Sequence, residues 1–472
     1  MRERLAIGAI LASAFLQSSC VRYNARPINP QILENQFRSR TLADPGLREF
    51  VRQQSGNPVL AWPPAQLNLD ALVYVALHFS PEIGLARAQA KSAEAALLSA
   101  RQRINPSLAA DGGYNKTPES IATYGASTTF TIETAGKRGY RILAAEKLAE
   151  AARIGLYESA WRVRSNVRSA FAGYYFATRR MEILRLENSL QAESARMLEK
   201  RLALGYASRP EVSAARAQQA ETAVNVRASE GEVAQTLTAL AAAVGLPITA
   251  LENARFDTAS LEHPPLPESL PLLRVQQSGL LHRADIRRLL AEYGAADARL
   301  RLEIANQYPN ISLTPAYSLQ EGFAAYTLGS GIDSLPIFHH NQGPIAEAEA
   351  ARAEIKARFV ALQAQAIADT DSAMRQYRAA VRQWLEARDH LQFVQRQRES
   401  AVLAAFHEGE ASRLDAALAR SLTLAADQTC MDALLRVQNA LGTLEQAVQA
   451  PLEAGLNPSQ IPLRGLAPGI LQ

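Results

Sequence analysis

The chain has two cysteines in 472 residues, Cys20 and Cys430, which excludes a disulfide framework. Aromatic residues make up 6% of a sequence that is 48% hydrophobic. Alanine fills much of the difference, and that composition suits long, closely packed helices better than a core of large side chains. An excess of charge of one sign is also missing. Fifty Lys and Arg stand against 46 Asp and Glu, for a net charge of +4, and the two signs interleave. Such a surface gives no footing for a nucleic-acid partner. After the N-terminal segment no run of about 18 consecutive apolar residues occurs, so any membrane crossing must use strands. No nucleophile elbow, phosphate loop, H-E-x-x-H or paired-carboxylate motif stands in a suitable context, so neither an enzyme nor a cofactor is expected.

The N-terminus itself reads as an export signal over residues 1–20. Arg2 and Arg4 precede an apolar run from Leu5 to Leu16, followed by Gln17-Ser18-Ser19-Cys20. The segment admits two processing routes. Cys20 is a candidate lipidated first residue, although Gln17 occupies the place where a lipoprotein signal usually has leucine; the other route is ordinary signal-peptidase cleavage nearby.

What the chain does contain is a long internal repeat. Ser80-Pro81-Glu82-Ile83 matches Arg283-Ala284-Asp285-Ile286, and Asn105-Pro106-Ser107-Leu108 matches Tyr308-Pro309-Asn310-Ile311. Gly205-Tyr206-Ala207-Ser208-Arg209 then matches Gly409-Glu410-Ala411-Ser412-Arg413. The period, near two hundred residues, is far beyond the 20–50 of solenoids and marks duplication of a whole architecture. The expected organisation is an extended N-terminal arm at 21–66, a first unit at 67–245, a connector at 246–272, a second unit at 273–450 and a flexible tail at 451–472.

Each unit reads as helix, hairpin, helix, helix. Residues 82–105 and 284–307 have helical period and end before a proline, which lacks an amide hydrogen and restricts its predecessor. Two alternating runs follow in each copy. Leu108, Ala110, Gly112 and Tyr114 share one face, as do Tyr124, Ala126, Thr128, Phe130 and Ile132. In the second copy the faces are Ile311, Leu313, Pro315, Tyr317, Leu319 and Tyr326, Leu328, Ser330, Ile332. Period two between turn residues is the mark of a hairpin, and ~9–10 residues suffice for a tilted transmembrane strand. Residues 140–204 lack proline and 345–408 lack both proline and glycine. Each stretch predicts a helix of ~95–100 Å. Glycine turns at Gly205 and Gly409 send shorter helices back over 210–244 and 411–441.

Four amphipathic strands cannot close in a bilayer alone, because open edges leave backbone groups unsatisfied at several kcal/mol each. Three copies would give twelve strands and an open lumen, which long helices around the same axis would continue as a tube. The residues thus point to a conduit. The expected fold class is mainly α with a small β part, in tandem-duplicated units; the family resemblance given next implies that these form a long α-helical barrel plus a trimeric, 12-stranded outer-membrane β-barrel.

Over about residues 66–450 the sequence resembles the TolC-type outer membrane factors, which share the duplication, the strand pair before each long helix and G-x-x-[ST]-R-like tips. Glu133-Thr134-Ala135-Gly136-Lys137-Arg138-Gly139 and Leu335-Pro336-Ile337-Phe338-His339-His340-Asn341-Gln342-Gly343 resemble the strand-to-helix junctions of the CzcC/CusC-like heavy-metal branch. The resemblance implies a homotrimer in outer-membrane lipid that conducts pump-delivered substrate from periplasm to outside. It implies a periplasmic adaptor and an inner-membrane pump as partners, with an RND-type pump as the candidate. It also implies a pore aperture at Asp415 and its counterpart Glu211, and adaptor contacts at Gly205, Ser208, Arg209, Gly409, Ser412 and Arg413. Leu418 stands where the family's second aperture acid is expected.

Bland readings compete with these. A carboxylate in a helix's first turn is favoured by the helix dipole without any pore, and an arginine at a turn can simply be solvated. Tyr114, Tyr124, Tyr317 and Tyr326 lie toward the turns of their hairpins, where an interfacial aromatic girdle belongs. Adjacent His339 and His340 lack the spacing and further ligands of a metal site, so none is expected. The rival readings are a type I secretion or multidrug exit duct of the same fold, and a periplasmic coiled-coil scaffold, which would have no strands at 107–132 and 310–335.

Overall fold

The computed structural model describes residues 21, 23–55, 62–115, 121–270, 283–320 and 323–452. Cys20 and the export signal lie outside the described residues, as does the tail from 453. The chain divides into two compact units, residues 1–41 and 42–472.

The arm expected to be extended instead carries helices in both units. In the first, α1 (Pro30–Arg38) begins at Asn29, whose side chain accepts hydrogen bonds from the amides of Gln31 and Ile32 at 3.0 and 3.3 Å. In the second, α2 (Pro45–Ser55) begins beside Asp44, whose carboxylate accepts from the Leu47 amide at 2.9 Å. Each start is an Asn or Asp cap followed by proline at the first helical position, where the missing amide leaves no donor unsatisfied. Part of the arm's proline and asparagine content is this start signal.

The second unit continues with α3 (Leu69–Phe79), α4 (Pro81–Arg101), β1 (Ser107–Asn115), β2 (Ile121–Ile132), α5 (Lys137–Ala203) and α6 (Arg209–Val244). After the connector come α7 (Ala284–Ala305), β3 (Ile311–Gln320), β4 (Phe323–Ile332), α8 (Gln342–Glu386), α9 (Phe393–His407) and α10 (Arg413–Val448). The 67 residues of α5 run about 100 Å at 1.5 Å per residue. Between α8 and α9 the helix continues through a π-helical turn, Ala387–Gln392, which sequence periodicity did not anticipate. Among the described residues no single helix is long and apolar enough to cross a membrane.

A core forms where α3 meets the middle of α5 and the C-terminal parts of α6, α8 and α10. Leu72, Leu77, Phe171, Leu240, Tyr377, Leu441 and Leu444 are wholly buried there. The connector is part of this core. Its Phe256 pairs with Leu67 as an isolated parallel bridge, and Leu246, Leu251, Leu261 and Leu270 are buried. The Tyr175 hydroxyl donates to Glu262 at 2.8 Å, and the Tyr377 hydroxyl donates to the Pro265 carbonyl. The connector therefore ties α5 of the first copy to α8 of the second.

Two buried arginines of α5 reach the last helix. Arg164 donates to Glu445 at 2.7 Å, and Arg168 donates to Gln438 at 2.7 Å with its Nε 3.7 Å from Glu445. The Glu445 carboxylate also accepts from the Leu452 amide at 3.0 Å. Burial pushes that carboxyl up, but Arg168 and Arg164 pull it further down, and it lies below the usual carboxylate range.

Candidate functional site: the sheet, its junctions and the helix tips

The four strands form one antiparallel sheet in the order β1-β2-β3-β4, so β2 and β3 join the two copies and β1 and β4 each have a single neighbour. The register fixes the faces. Ala110 pairs with Ala126, Ala126 with Tyr317, and Tyr317 with Tyr326. Directly paired residues point the same way and successive residues alternate. All four runs expected to be apolar therefore share one face: Leu108, Phe130, Leu313, Tyr317, Tyr326, Leu328 and their alternates.

The other face holds Ser107, Asp111, Thr123, Ser127, Thr129, Thr131, Ser312, Thr314, Ser318 and Thr327 with interspersed Gly and Ala, and Phe323 opposite Gln320 at the turn end of β4. On it the Thr129 and Thr314 hydroxyls lie 3.1 Å apart. Several of its polar side chains lie down over a glycine on the neighbouring strand. A β-carbon built at Gly113 would stand 2.6 Å from Thr123 Oγ1, and one at Gly331 would stand 2.9 Å from Ser312 Oγ. Pro315 sits inside β3 where the β2–β3 pairing skips Thr128 and Thr129, as a residue without an amide donor requires.

Tyr114, Tyr124, Tyr317 and Tyr326 all project from the apolar face toward the hairpin turns, and all are exposed. The rings of Tyr317 and Tyr326 are 5.2 Å apart, within the range of a favourable aromatic pair.

The junctions between strands and long helices are held by polar clamps that sequence reasoning did not assign. Lys137, at the start of α5, is buried, and its ammonium donates to the Tyr308 carbonyl at 2.6 Å and to Asn310 Oδ1 at 2.7 Å. Thr134 donates to the Pro309 carbonyl at 2.6 Å. The first copy's junction thus grips the Tyr308-Pro309-Asn310 segment of the second. In the second copy Asn341, with φ +60°, caps α8 and donates from Nδ2 to the Glu303 carbonyl at 2.8 Å. The signal for both clamps was the motif pair itself, which carried no contact partner.

The two tips share one construction. Tyr206 donates to the Arg201 carbonyl at 2.7 Å and Gly205 to Leu202 at 3.0 Å; Glu410 donates to Ala405 at 2.9 Å and Gly409 to Phe406 at 3.1 Å. These are Schellman closures, with the glycines at φ +80° and +83°. Each returning helix then opens with a capping box, Ser208 with Glu211 and Ser412 with Asp415. Asp415 accepts from the Ser412 amide at 2.9 Å and its hydroxyl at 2.6 Å, and Glu211 accepts from the Ser208 amide at 2.6 Å. Hydrogen bonds from Ser412 hold Asp415, and from Ser208 hold Glu211, below the usual carboxylate range. Arg201 adds a smaller pull on both. Arg413 pairs with Glu193 of α5. Arg209 is exposed, and Leu418, one turn beyond Asp415, is 57% exposed. His339 and His340 are exposed, and no group of three metal-ligating residues occurs among the described residues.

A sheet with one apolar and one polar face, set on helices far too long for a single globule, defines a subunit of an outer-membrane channel. The family model described as outer membrane efflux protein matches residues 72–246. The chain is 26% identical over 302 residues to the cobalt-zinc-cadmium resistance protein CzcC of Cupriavidus metallidurans, covering 63% of this chain and 70% of that protein. It is 25% identical over 299 residues to the pyoverdine export outer membrane protein OpmQ of Pseudomonas aeruginosa, covering 58% and 62%. The outer membrane protein VceC from Vibrio cholerae superposes with a TM-score of 0.67 at 21% identity, covering 82% of this chain and 97% of that one. Residues 72–246 thus carry the pattern of outer membrane efflux proteins, and the fold of the chain is that of TolC-type outer-membrane channels. The chain is an efflux channel subunit of the bacterial outer membrane that extends into the periplasm, and the proteins it resembles are channel proteins, not enzymes.

Proposed function

We propose that three copies close the sheet into a twelve-stranded barrel and conduct divalent heavy-metal cations, delivered by an RND-type pump through a periplasmic adaptor. The observation that carries this reading is the open sheet with sorted faces. Among the described residues β1 and β4 each lack a second neighbour, and an apolar face immersed in lipid leaves no water to satisfy those edges. Three sheets of four are the smallest closed set with an open lumen, since eight strands fill their own interior. The likeness to CzcC and the two strand-to-helix junctions support metal cations as cargo.

In this reading residues 67–245 and 273–450 are the two repeats. The tip residues Gly205, Ser208, Arg209, Gly409, Ser412 and Arg413 meet the adaptor, while Asp415 and Glu211 narrow the periplasmic aperture. Tyr114, Tyr124, Tyr317 and Tyr326 form the girdle, and Cys20 carries a lipid anchor. The likeness to OpmQ favours a second reading, export of a small organic compound. A deletion strain tests both. Sensitivity to cobalt, zinc, cadmium or copper, rescued by the intact gene, supports metal cargo; sensitivity confined to dyes, antibiotics or chelating organics supports the second and removes the first.

A further inference from the structure

Among the described strand residues a single one carries a full charge, Asp111 in β1. The register sets it opposite Gly125, Gly125 opposite Ser318, and Ser318 opposite Ala325. Asp111 therefore belongs to the polar face, in a row whose other members are small and uncharged. Its side chain lies over Gly125: a β-carbon built there would stand 2.7 Å from Asp111 Cγ. Any other residue at 125 would displace the carboxylate, so the glycine and the acid form one arrangement. No lysine or arginine within the described strands neutralises it.

We propose that Asp111 is a charge-selecting residue of the outer-membrane pore, favouring passage of hydrated cations over anions. The inference rests on the trimeric barrel proposed above. In that barrel the polar face looks into the lumen, and three Asp111 carboxylates recur at every fourth strand, at one level. A strand spacing of about 4.8 Å and a tilt of about 40° give twelve strands a radius of roughly 12 Å. The carboxylates reach inward from that wall, so their fields span the lumen when the screening length is about 30 Å, at 10 mM salt, and fail when it is about 3 Å, at 1 M. Selectivity from this residue is thus a low-salt property and separable from any narrow aperture at the tips, where ions pass within contact distance of Asp415.

The test uses the full-length protein, purified in detergent and inserted into planar bilayers, with reversal potentials measured across a KCl gradient. The unmodified channel is expected to prefer potassium over chloride at low salt. Asp111→Asn lowers the permeability ratio by about twofold or more, Asp111→Lys inverts it, and the variants converge at about 1 M salt. Asp415→Asn serves as the comparison. Selectivity unchanged by Asp111→Asn but lost in Asp415→Asn overturns the proposal. A second measurement needs no current. Tryptophan at Ser318, in the Asp111 row, is expected to be quenched more by cobalt ion than by iodide, and Asp111→Asn in that background narrows the difference. Equal quenching in both backgrounds overturns the proposal at the residue itself. Absence of trimers on crosslinking overturns it through the barrel reading instead.

Discussion

Arg164 and Glu445, 281 residues apart, meet at 2.7 Å in the core that joins the two copies, with their side chains 6% and 1% exposed. One comes from the first long helix and the other from α10, the last described helix. Arg168 stands behind the same carboxylate. The duplication supplied two similar units, and this pairing locks them together through an interaction that neither unit could form alone.

Glu445→Gln removes the counter-ion of two buried guanidiniums and is expected to lower stability by about 3–5 kcal/mol. The acid profile carries a second signature. The carboxyl lies below its ordinary value of 4.5 in the folded chain, so its stabilisation is complete above pH 4.5 and is lost as pH falls through the depressed value. Melting temperature followed by circular dichroism from about pH 6 to 3 should drop more steeply in the unmodified protein than in Glu445→Gln. Parallel curves would mean that the pair contributes no linked proton.

Lys137 predicts the fate of the strand-to-helix junction. Lys137→Met keeps the aliphatic stem and deprives the Tyr308 carbonyl and Asn310 of their charged donor. Each such bond is worth about 1.5–3 kcal/mol. Because the clamp crosses from the first copy to the second at the foot of the sheet, the expected loss is in the heat resistance of the trimer proposed above. Exposed Lys91 on α4 is the control: if Lys91→Met and Lys137→Met melt alike on semi-native gels, the clamp has no such role.

The repeat, the hairpins, the faces of the strands and the glycine tips were legible because each is written in local spacing. Period two gave the face shared by Tyr317 and Tyr326, and the proline-free stretches gave α5 and the α8–α9 run. Helix α3 was missed because it is not amphipathic: seven of its eleven residues are buried, so no polar stripe marks its period. The Glu445 cluster and the Lys137 clamp were illegible for another reason, since the partners of Arg164, Arg168 and Lys137 lie 171 residues away or more in sequence and nothing local announces them. At the tips the sequence named Asp415 and Glu211 as acids of interest, but only the structure shows both already engaged in capping boxes.

The tips yield a graded test. Gly205 and Gly409 hold φ near +80°, where a residue with a β-carbon is strained by roughly 1–2 kcal/mol, asparagine less than alanine. Gly205→Ala and Gly409→Ala should loosen the Schellman closure, giving faster hydrogen exchange at the Tyr206 or Glu410 amide, with Gly→Asn intermediate. The melting of the core, far along the helices, should not move. Exchange unaffected by alanine would show that the turn tolerates a different closure.

The tyrosines decide which face of the sheet meets lipid. Tyr326 is 82% exposed and Tyr317 is 39% exposed, with their rings in contact at a tilt of 52° across β3 and β4, while Ser318, the next residue along β3, projects from the opposite face. Tryptophan at Tyr326 in reconstituted protein should be quenched strongly by lipids brominated high on the acyl chain and weakly by those brominated near its end, as an interfacial position demands. Tryptophan at Ser318 should respond to neither lipid and to aqueous quenchers instead. Background from Trp62, Trp161 and Trp384 is common to both variants and subtracts. If the lipid quenchers act on the Ser318 variant and spare the Tyr326 variant, the faces are reversed, and both the girdle and the placement of Asp111 in the lumen fall together.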